Sequence, residues 1–300
     1  MTKFKSWITA FRLRTLPLAI SSVLMGSFLA IASETYDWLV ILLSVVTTLL
    51  LQILSNLAND YGDGMKGTDN KDRVGPVRTI QSGEISPKQM RLGIVIFVLL
   101  SLISGIWLIV ESFGSNWHLG LLFLILGLAA IAAAIKYTVG NRAYGYSGFG
   151  DLFVFLFFGL LAVLGSYFLN THIFDWQILL PASSIGFLSA GVLNLNNMRD
   201  MENDAKSGKR TLALTLGFKL SKTYHILLVI ASMVLLVVFI ILQYSNPWQF
   251  IFVISFPTMI KQLIEINRIN DKSLLDPYLK KLAFSTLILT LLFGLGIIFG

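Results

Sequence analysis

The chain reads as long apolar runs separated by short polar breaks. Windows long enough to cross about 30 Å of hydrocarbon predict nine membrane-spanning helices, at residues 16–33, 38–58, 93–111, 119–138, 151–169, 178–197, 225–243, 248–265 and 281–299. The eighth is the least regular, because Pro247, Pro257 and Lys261 interrupt it.

The breaks alternate in character. Lys3, Lys5, Arg12 and Arg14 precede the first run, and two base-rich loops, at about 59–92 and about 198–224, follow the second and the sixth. Lys136 and Arg142 follow the fourth run, and Lys261, Arg268, Lys272, Lys280 and Lys281 surround the link from the eighth to the ninth. All 23 Lys and Arg residues fall on or near one side, and the opposite breaks carry none. The positive-inside rule then places the N-terminus and both long loops in the cytoplasm and the C-terminus outside. Ala30-Ile31-Ala32 faintly resembles a signal-peptide cleavage site, but the bases extend to Arg14 and the downstream order needs the first span to be retained.

Composition agrees with a multi-pass membrane protein. Of 300 residues 55% are hydrophobic and 13% charged, with a mean hydropathy of +0.77, where a soluble domain carries about 25% charged residues. The net charge of +7 is explained by its one-sided distribution, so no nucleic-acid partner is expected. The absence of cysteine excludes disulfides and thiol catalysis. No separate soluble domain or obligate protein partner is indicated, and residues 1–300 are expected to form a single transmembrane domain.

The chemistry concentrates at two helix ends. Asn56, Asp60 and Asp63, at about 100° per residue, fall within about 60° of one another on a helix face. Asn197, Asp200 and Asp204 repeat that geometry. Two carboxylate-bearing ends on one side, each followed by bases, suit a magnesium-bound diphosphate, since Mg²⁺ prefers hard oxygen ligands shared between carboxylates and phosphates. The loops also echo each other: Arg78-Thr79-Ile80 precedes Gly83, and Arg210-Thr211-Leu212 precedes Gly217. That echo suggests two related halves around a central cavity.

Other features point elsewhere. Gly62-x-Gly64-x-x-Gly67 matches the dinucleotide fingerprint, but no βαβ unit can be drawn around it; these glycines are expected to let the chain turn closely around a ligand at the helix end. His118, His172 and His225 are scattered, and the six tryptophans mark span ends as an interfacial belt without singling out a ring for the chemistry. Lys136 and Arg142 fit snorkelling bases as well as functional ones. Asp151 is more informative, because an acid at the edge of a span is costly and usually functional.

Together these residues resemble the UbiA-type intramembrane aromatic prenyltransferases, from Arg12 to about Gly217. The resemblance implies nine helices around a cavity open to lipid, with two aspartate motifs binding Mg²⁺ and the diphosphate of a polyprenyl donor. The family's Asn-Asp-x-x-Asp-x-x-x-Asp motif is met by Asn59, Asp60 and Asp63, with Gly67 at its last position. Its Asp-x-x-x-Asp motif is met by Asp200 and Asp204. Arg78, Lys209 and Arg210 fall where the family places diphosphate-binding bases, and Tyr137 and Arg142 fit its Tyr-Pro-x-x-Lys-Arg segment, with Thr138 replacing proline.

The stretches Asn56 to Asp63 with Lys66-Gly67, Tyr137 to Gly140 with Tyr144-Gly145-Tyr146, and Asn196 to Asp200 with Gly208 to Leu212 are similar to the branch serving menaquinone synthesis. Gly67 is shared with that branch, whereas Ala143 stands where it usually has proline. The expected acceptor is then 1,4-dihydroxy-2-naphthoate, prenylated with loss of its carboxylate, in the cytoplasmic membrane of a bacterium. Asp60, Asp63, Asp200 and Asp204 are the expected Mg²⁺ ligands, and Asn56, Asn59, Lys66, Arg78, Tyr137, Asn197, Lys209 and Arg210 the expected substrate-binding residues. Arg12, Arg14 or Arg142 would meet the acceptor carboxylate, with Asp151 assisting proton handling. A different aromatic acceptor remains open. A lipid-phosphate or organic-anion transporter would place its polar groups nearer the bilayer midplane, and the Asp-Gly-x-x-Ala-Arg pattern of the alcohol phosphotransferases is missing after Asp63-Gly64.

Overall fold

The computed structural model describes residues 3–69, 74–141 and 143–300. Among them nine helices are long and apolar enough to cross a membrane: α1 (Lys3–Ala32), α2 (Trp38–Lys66), α3 (Pro87–Phe113), α4 (Trp117–Lys136), α5 (Gly150–Thr171), α6 (Trp176–Arg199), α7 (Leu212–Leu242), α8 (Pro247–Arg268) and α9 (Lys272–Phe299). Each contains the core of one predicted span. No strand forms among the described residues, so the fold is all-α as expected.

Helix ends differ from expectation where polar residues continue a helix. α2 runs on to Lys66, so Asp60 and Asp63 lie on the helix, and Gly67 in the left-handed region (φ 72°) ends it. Gly62 and Gly64 are not turn residues but close-packing ones: a Cβ on Gly62 would lie 2.5 Å from Thr138 Oγ1, and one on Gly64 2.9 Å from Ile80 Cγ2. α7 starts at Leu212, where Thr211 caps it by accepting from the Leu214 N–H; the second loop is therefore shorter than the sequence suggested. Gly83 and Gly217, the matching glycines of the loop echo, have φ near +74° and +75°. The irregular eighth span begins as a 3-10 turn at Pro247–Ser255, with Asn246 capping Trp248.

Two main apolar cores divide the molecule, and a third cluster of Val40, Leu43, Leu108, Phe113 and Leu169 ties α2, α3 and α5 together. The larger joins α5, α6, α7, α8, α9 and the second half of α1. The smaller joins the start of α1 with α2, α3 and α4. Close helix approach in the first depends on small residues: a Cβ on Gly26 of α1 would lie 2.2 Å from the Val163 carbonyl of α5, and one on Gly159 would lie 2.7 Å from Gly186 Cα of α6. Within α5 the stretch Phe155–Leu164 is wound as a π-helix. Phe157 and Phe158 of that stretch line the space between the two main cores.

Candidate active site

That space is one cavity of about 410 Å³, lined by α1 to α6, the start of α9 and the connecting loops. α7 and α8 pack behind α6 and contribute nothing to its lining among the described residues. On α2 the lining runs from Ser44 to Asp63, about 28 Å of helix at 1.5 Å per residue. One end is polar, with Arg12, Asn59, Asp63, Arg78, Asp200, Asp204 and Lys209; the remainder is largely apolar, with Leu108, Ile109, Phe123, Leu126, Phe158 and Leu161 among its walls.

The polar end begins at a kink in α1. Arg12 takes a left-handed conformation (φ 51°, ψ 57°), unusual for a residue with a side chain. The kink is held from α2: Asn56 Nδ2 donates to the Phe11 carbonyl (2.9 Å) and to Thr15 Oγ1 (3.0 Å), and Gln52 Nε2 donates to the same hydroxyl (3.2 Å). The bend brings the Arg12 guanidinium onto Asp60, which it hydrogen-bonds through Nη2. Asp60 is 1% exposed, with Arg78 Nε 3.6 Å from its Oδ1.

The cavity face of α2 is therefore Asn56, Asn59 and Asp63, whereas Asp60 anchors two arginines just behind it. Asp63 Oδ1 accepts from the Tyr146 hydroxyl at 2.7 Å. Asn59 is steadied by Thr138, whose Oγ1 donates to the Ala58 carbonyl (3.0 Å) and lies 3.3 Å from Asn59 Oδ1.

The second motif contributes Asn196, Asp200, Asn203 and Asp204 to the lining; Asn197 is buried but faces away from it. Arg199, with no exposed side-chain surface, grips Asp200 through Nε (2.8 Å to Oδ1) and Nη2 (2.6 Å to Oδ2). Lys209 Nζ stands 3.7 Å from Asp204 Oδ1. Burial alone would lower the Lys209 pKa, but Asp63 and Asp204 raise it above the ordinary lysine value, so the ammonium stays charged. Tyr137 also lines the cavity, its phenol pushed up to about 12 by burial despite Lys209, and so remains a proton donor near neutral pH.

Several expected residues lie elsewhere. Arg210 is exposed and meets the site through its backbone, the N–H donating to the Tyr146 carbonyl at 3.2 Å. Lys66 is exposed, 3.9 Å above the Tyr146 ring. Asp151 is buried outside the lining. Arg14 lines the cavity, 3.4 Å from Asp276, and Arg142 lies outside the described residues.

Sequence reasoning missed Asn196, Asn203, Asp69 and Lys280 in the lining, and an aromatic row along it. In that row Tyr137 meets Tyr144 edge-on at 5.3 Å, Tyr144 meets Phe153 at 4.1 Å, and Phe153 stacks on Phe157 at 6.2 Å. The i, i+4 spacing of Phe153 and Phe157 was a readable signal; the meeting with Tyr144 was not.

The donors at the polar end suit a hard cation. They are carboxylates and amide oxygens, and the buried Oδ1 of Asn203 has no hydrogen-bond partner among the described residues. No three His, Cys, Asp or Glu residues among them converge into a complete cage. That combination fits Mg²⁺, which commonly completes its shell with water and substrate phosphate.

Residues 19–288 match the model of the UbiA prenyltransferase family. The chain belongs to that family. It is 42% identical to 1,4-dihydroxy-2-naphthoate octaprenyltransferase of Haemophilus influenzae, over 99% of this chain and 97% of that protein. It is 34% identical to the protein of the same name from Mycobacterium tuberculosis, over 100% and 99%. Among solved structures, the UbiA homolog of Aeropyrum pernix superposes with a TM-score of 0.68 at 12% identity, covering 92% of this chain and 98% of that one. The UbiA homolog of Archaeoglobus fulgidus bound to DMAPP and Mg²⁺ gives 0.57 at 15% identity, over 95% and 98%. These two likenesses bear on the fold alone.

Proposed function

We propose that the protein transfers a polyprenyl group from its diphosphate to 1,4-dihydroxy-2-naphthoate, releasing CO₂ and diphosphate and giving demethylmenaquinone in its quinol form. The observation that carries this reading is the single cavity, charged at one end and apolar along the rest. It matches a donor with a diphosphate head and a hydrocarbon tail, and full-length relatives bear the name of that activity. The one-sided distribution of bases supports a site facing the cytoplasm of a bacterial cell.

Arg12, Arg78 and Lys209 surround the diphosphate position with positive charge, and the Tyr137 phenol donates a hydrogen bond there. Asp63, Asp200, Asp204 and Asn203 would hold Mg²⁺, which when bound neutralises the leaving diphosphate. These groups, already in place before reaction, favour departure of the allylic oxygen. The apolar walls exclude water from the developing allylic cation, and the rings of Tyr144, Phe153 and Phe157 offer it their faces. The naphthoate ring carbon bearing the carboxylate attacks, the new C–C bond forms, and the C–CO₂ bond breaks to restore the aromatic ring. Arg14 and Lys280, at the rim of the polar end, provide cations for the acceptor carboxylate before it leaves.

The test is a reaction of purified protein in detergent with Mg²⁺, a polyprenyl diphosphate and 1,4-dihydroxy-2-naphthoate, following prenylated product and CO₂ together. Equal yields of the two are expected. Turnover only with another aromatic acceptor would keep the prenyl transfer and discard the naphthoate.

A further inference from the structure

Tyr146 lies outside the cavity lining, on the short 3-10 turn Tyr144–Tyr146 between α4 and α5, yet elements of both aspartate motifs meet on it. Its hydroxyl donates to Asp63 Oδ1 at 2.7 Å and lies 2.6 Å from Thr68 Oγ1. A phenol has one proton, so with that proton on Asp63 the Thr68 hydroxyl must be the donor to Tyr146. A directed chain results: Thr68 to Tyr146 to Asp63.

The second motif joins the same point. Asn203 Nδ2 donates to the Thr68 carbonyl at 2.7 Å, the Arg210 N–H donates to the Tyr146 carbonyl at 3.2 Å, and Ser147 pairs with Arg210 in a parallel bridge. Two lysines, one from each motif, complete the arrangement: Lys66 Nζ is 3.9 Å and Lys209 Nζ 5.6 Å from the Tyr146 ring centroid, both within cation–π range.

We infer that Tyr146 is a positioning residue that locks the two aspartate-bearing helix ends together, fixing the Asp63 carboxylate through its hydroxyl and Lys66 and Lys209 through its ring. The assignment rests on the reading of the polar end as a diphosphate site.

The experiment is titration calorimetry of Mg²⁺ with inorganic pyrophosphate on the full-length protein in detergent, beside the melting temperature and steady-state kinetics. Tyr146→Phe keeps the ring and removes the hydroxyl. Pyrophosphate affinity is expected to fall about tenfold, with the acceptor KM and the melting temperature near those of the wild type. Tyr146→Leu, which also releases the two lysines, is expected to lose about threefold more. Should Tyr146→Phe not fold, Thr68→Val removes the upstream donor while leaving the ring, and must likewise weaken pyrophosphate binding. Wild-type affinity in the folded variants would overturn the role of Tyr146 alone. Absence of pyrophosphate binding by the wild type would overturn the diphosphate reading and this assignment with it.

Discussion

Arg199 and Asp200 are neighbours in sequence and face each other in a two-pronged ion pair, with Nε 2.8 Å from Oδ1 and Nη2 2.6 Å from Oδ2. Arg199 also reaches Asp276 at the start of α9 through Nη1, and donates to Asn196 Oδ1 at 2.9 Å through Nη2. The second motif is thereby tied to the last helix, and Asp200 is held in a fixed orientation at the cavity wall. Lysine cannot reproduce this fork.

Arg199→Lys is therefore expected to keep the fold and reduce kcat, because the Asp200 carboxylate loses its second contact. Arg199→Met leaves two carboxylates beside a buried apolar side chain, and removing one partner of a buried pair costs about 3–5 kcal/mol. Thermal melts in detergent check the stability order, wild type above Lys above Met. Kinetics of the Lys variant check the role in orientation.

Asp60 and Asp63 should separate in the same way. Asp63→Ala removes a carboxylate from the cavity and is expected to abolish transfer while the protein still melts near the wild-type temperature. Asp60→Ala leaves Arg12 and Arg78 without their common partner and should lower both activity and melting temperature. Equal melting temperatures for the two variants would contradict the division of labour between cavity face and anchor.

The spans were legible because hydropathy over twenty residues is a bulk property that survives errors at individual positions. Their ends were not: hydropathy ends the second span at residue 58 and leaves Gly62 and Gly64 as turning residues, yet the helix continues to Lys66 with those two glycines packed against Thr138 and Ile80. The acidic motifs announced the site, but which members face the cavity depends on helix phase and on partners far away in sequence. Asp60 is drawn behind the wall by Arg12, 48 residues earlier, and Arg199 is fixed by Asp276, 77 residues later. No local pattern encodes such pairs. Asn56 illustrates the same gap, since a residue expected to bind substrate lines the cavity and also holds a backbone kink.

That kink supplies the next prediction. Asn56→Leu removes the donor that pins both Phe11 and Thr15, at about 1–3 kcal/mol for a buried acceptor left unpaired, whereas Gln52→Leu removes a donor from Thr15 alone. Asn56→Leu, which loses two bonds, is expected to raise the KM for the prenyl diphosphate more than Gln52→Leu does, because Arg12 is aimed by the bend. The KM for the naphthoate should change less in both, and the two KM values measured separately decide the matter.

Tyr137 carries a pH prediction. Burial pushes its phenol up to about 12 in the folded protein, above the ordinary tyrosine value of about 10, so the folded state holds a proton that the unfolded state releases first. The stabilising contribution is complete below about pH 10 and is lost progressively between about pH 10 and pH 12. Tyr137→Phe should flatten that part of the curve of melting temperature against pH while leaving the curve below pH 9 parallel to the wild type. Ultraviolet titration of tyrosinate in the two proteins provides the independent check.

Gly62 tests whether the first motif tolerates separation from the segment after α4. A Cβ there would lie 2.5 Å from Thr138 Oγ1 and 2.7 Å from the Thr138 carbonyl carbon, and backbone cannot move aside as a side chain can. Gly62→Ala is favourable for the helix by about 1 kcal/mol in intrinsic propensity, but it must push α2 away from the segment after α4. The Thr138 hydroxyl, which donates to the Ala58 carbonyl, also lies against Asn59, one turn before Asp63. The substitution is therefore expected to lower the melting temperature despite the better propensity and to reduce kcat at least tenfold through misplacement of Asp63. If Gly62→Ala instead melted higher than the wild type with full activity, the close approach of α2 to Thr138 would not be what positions the first motif.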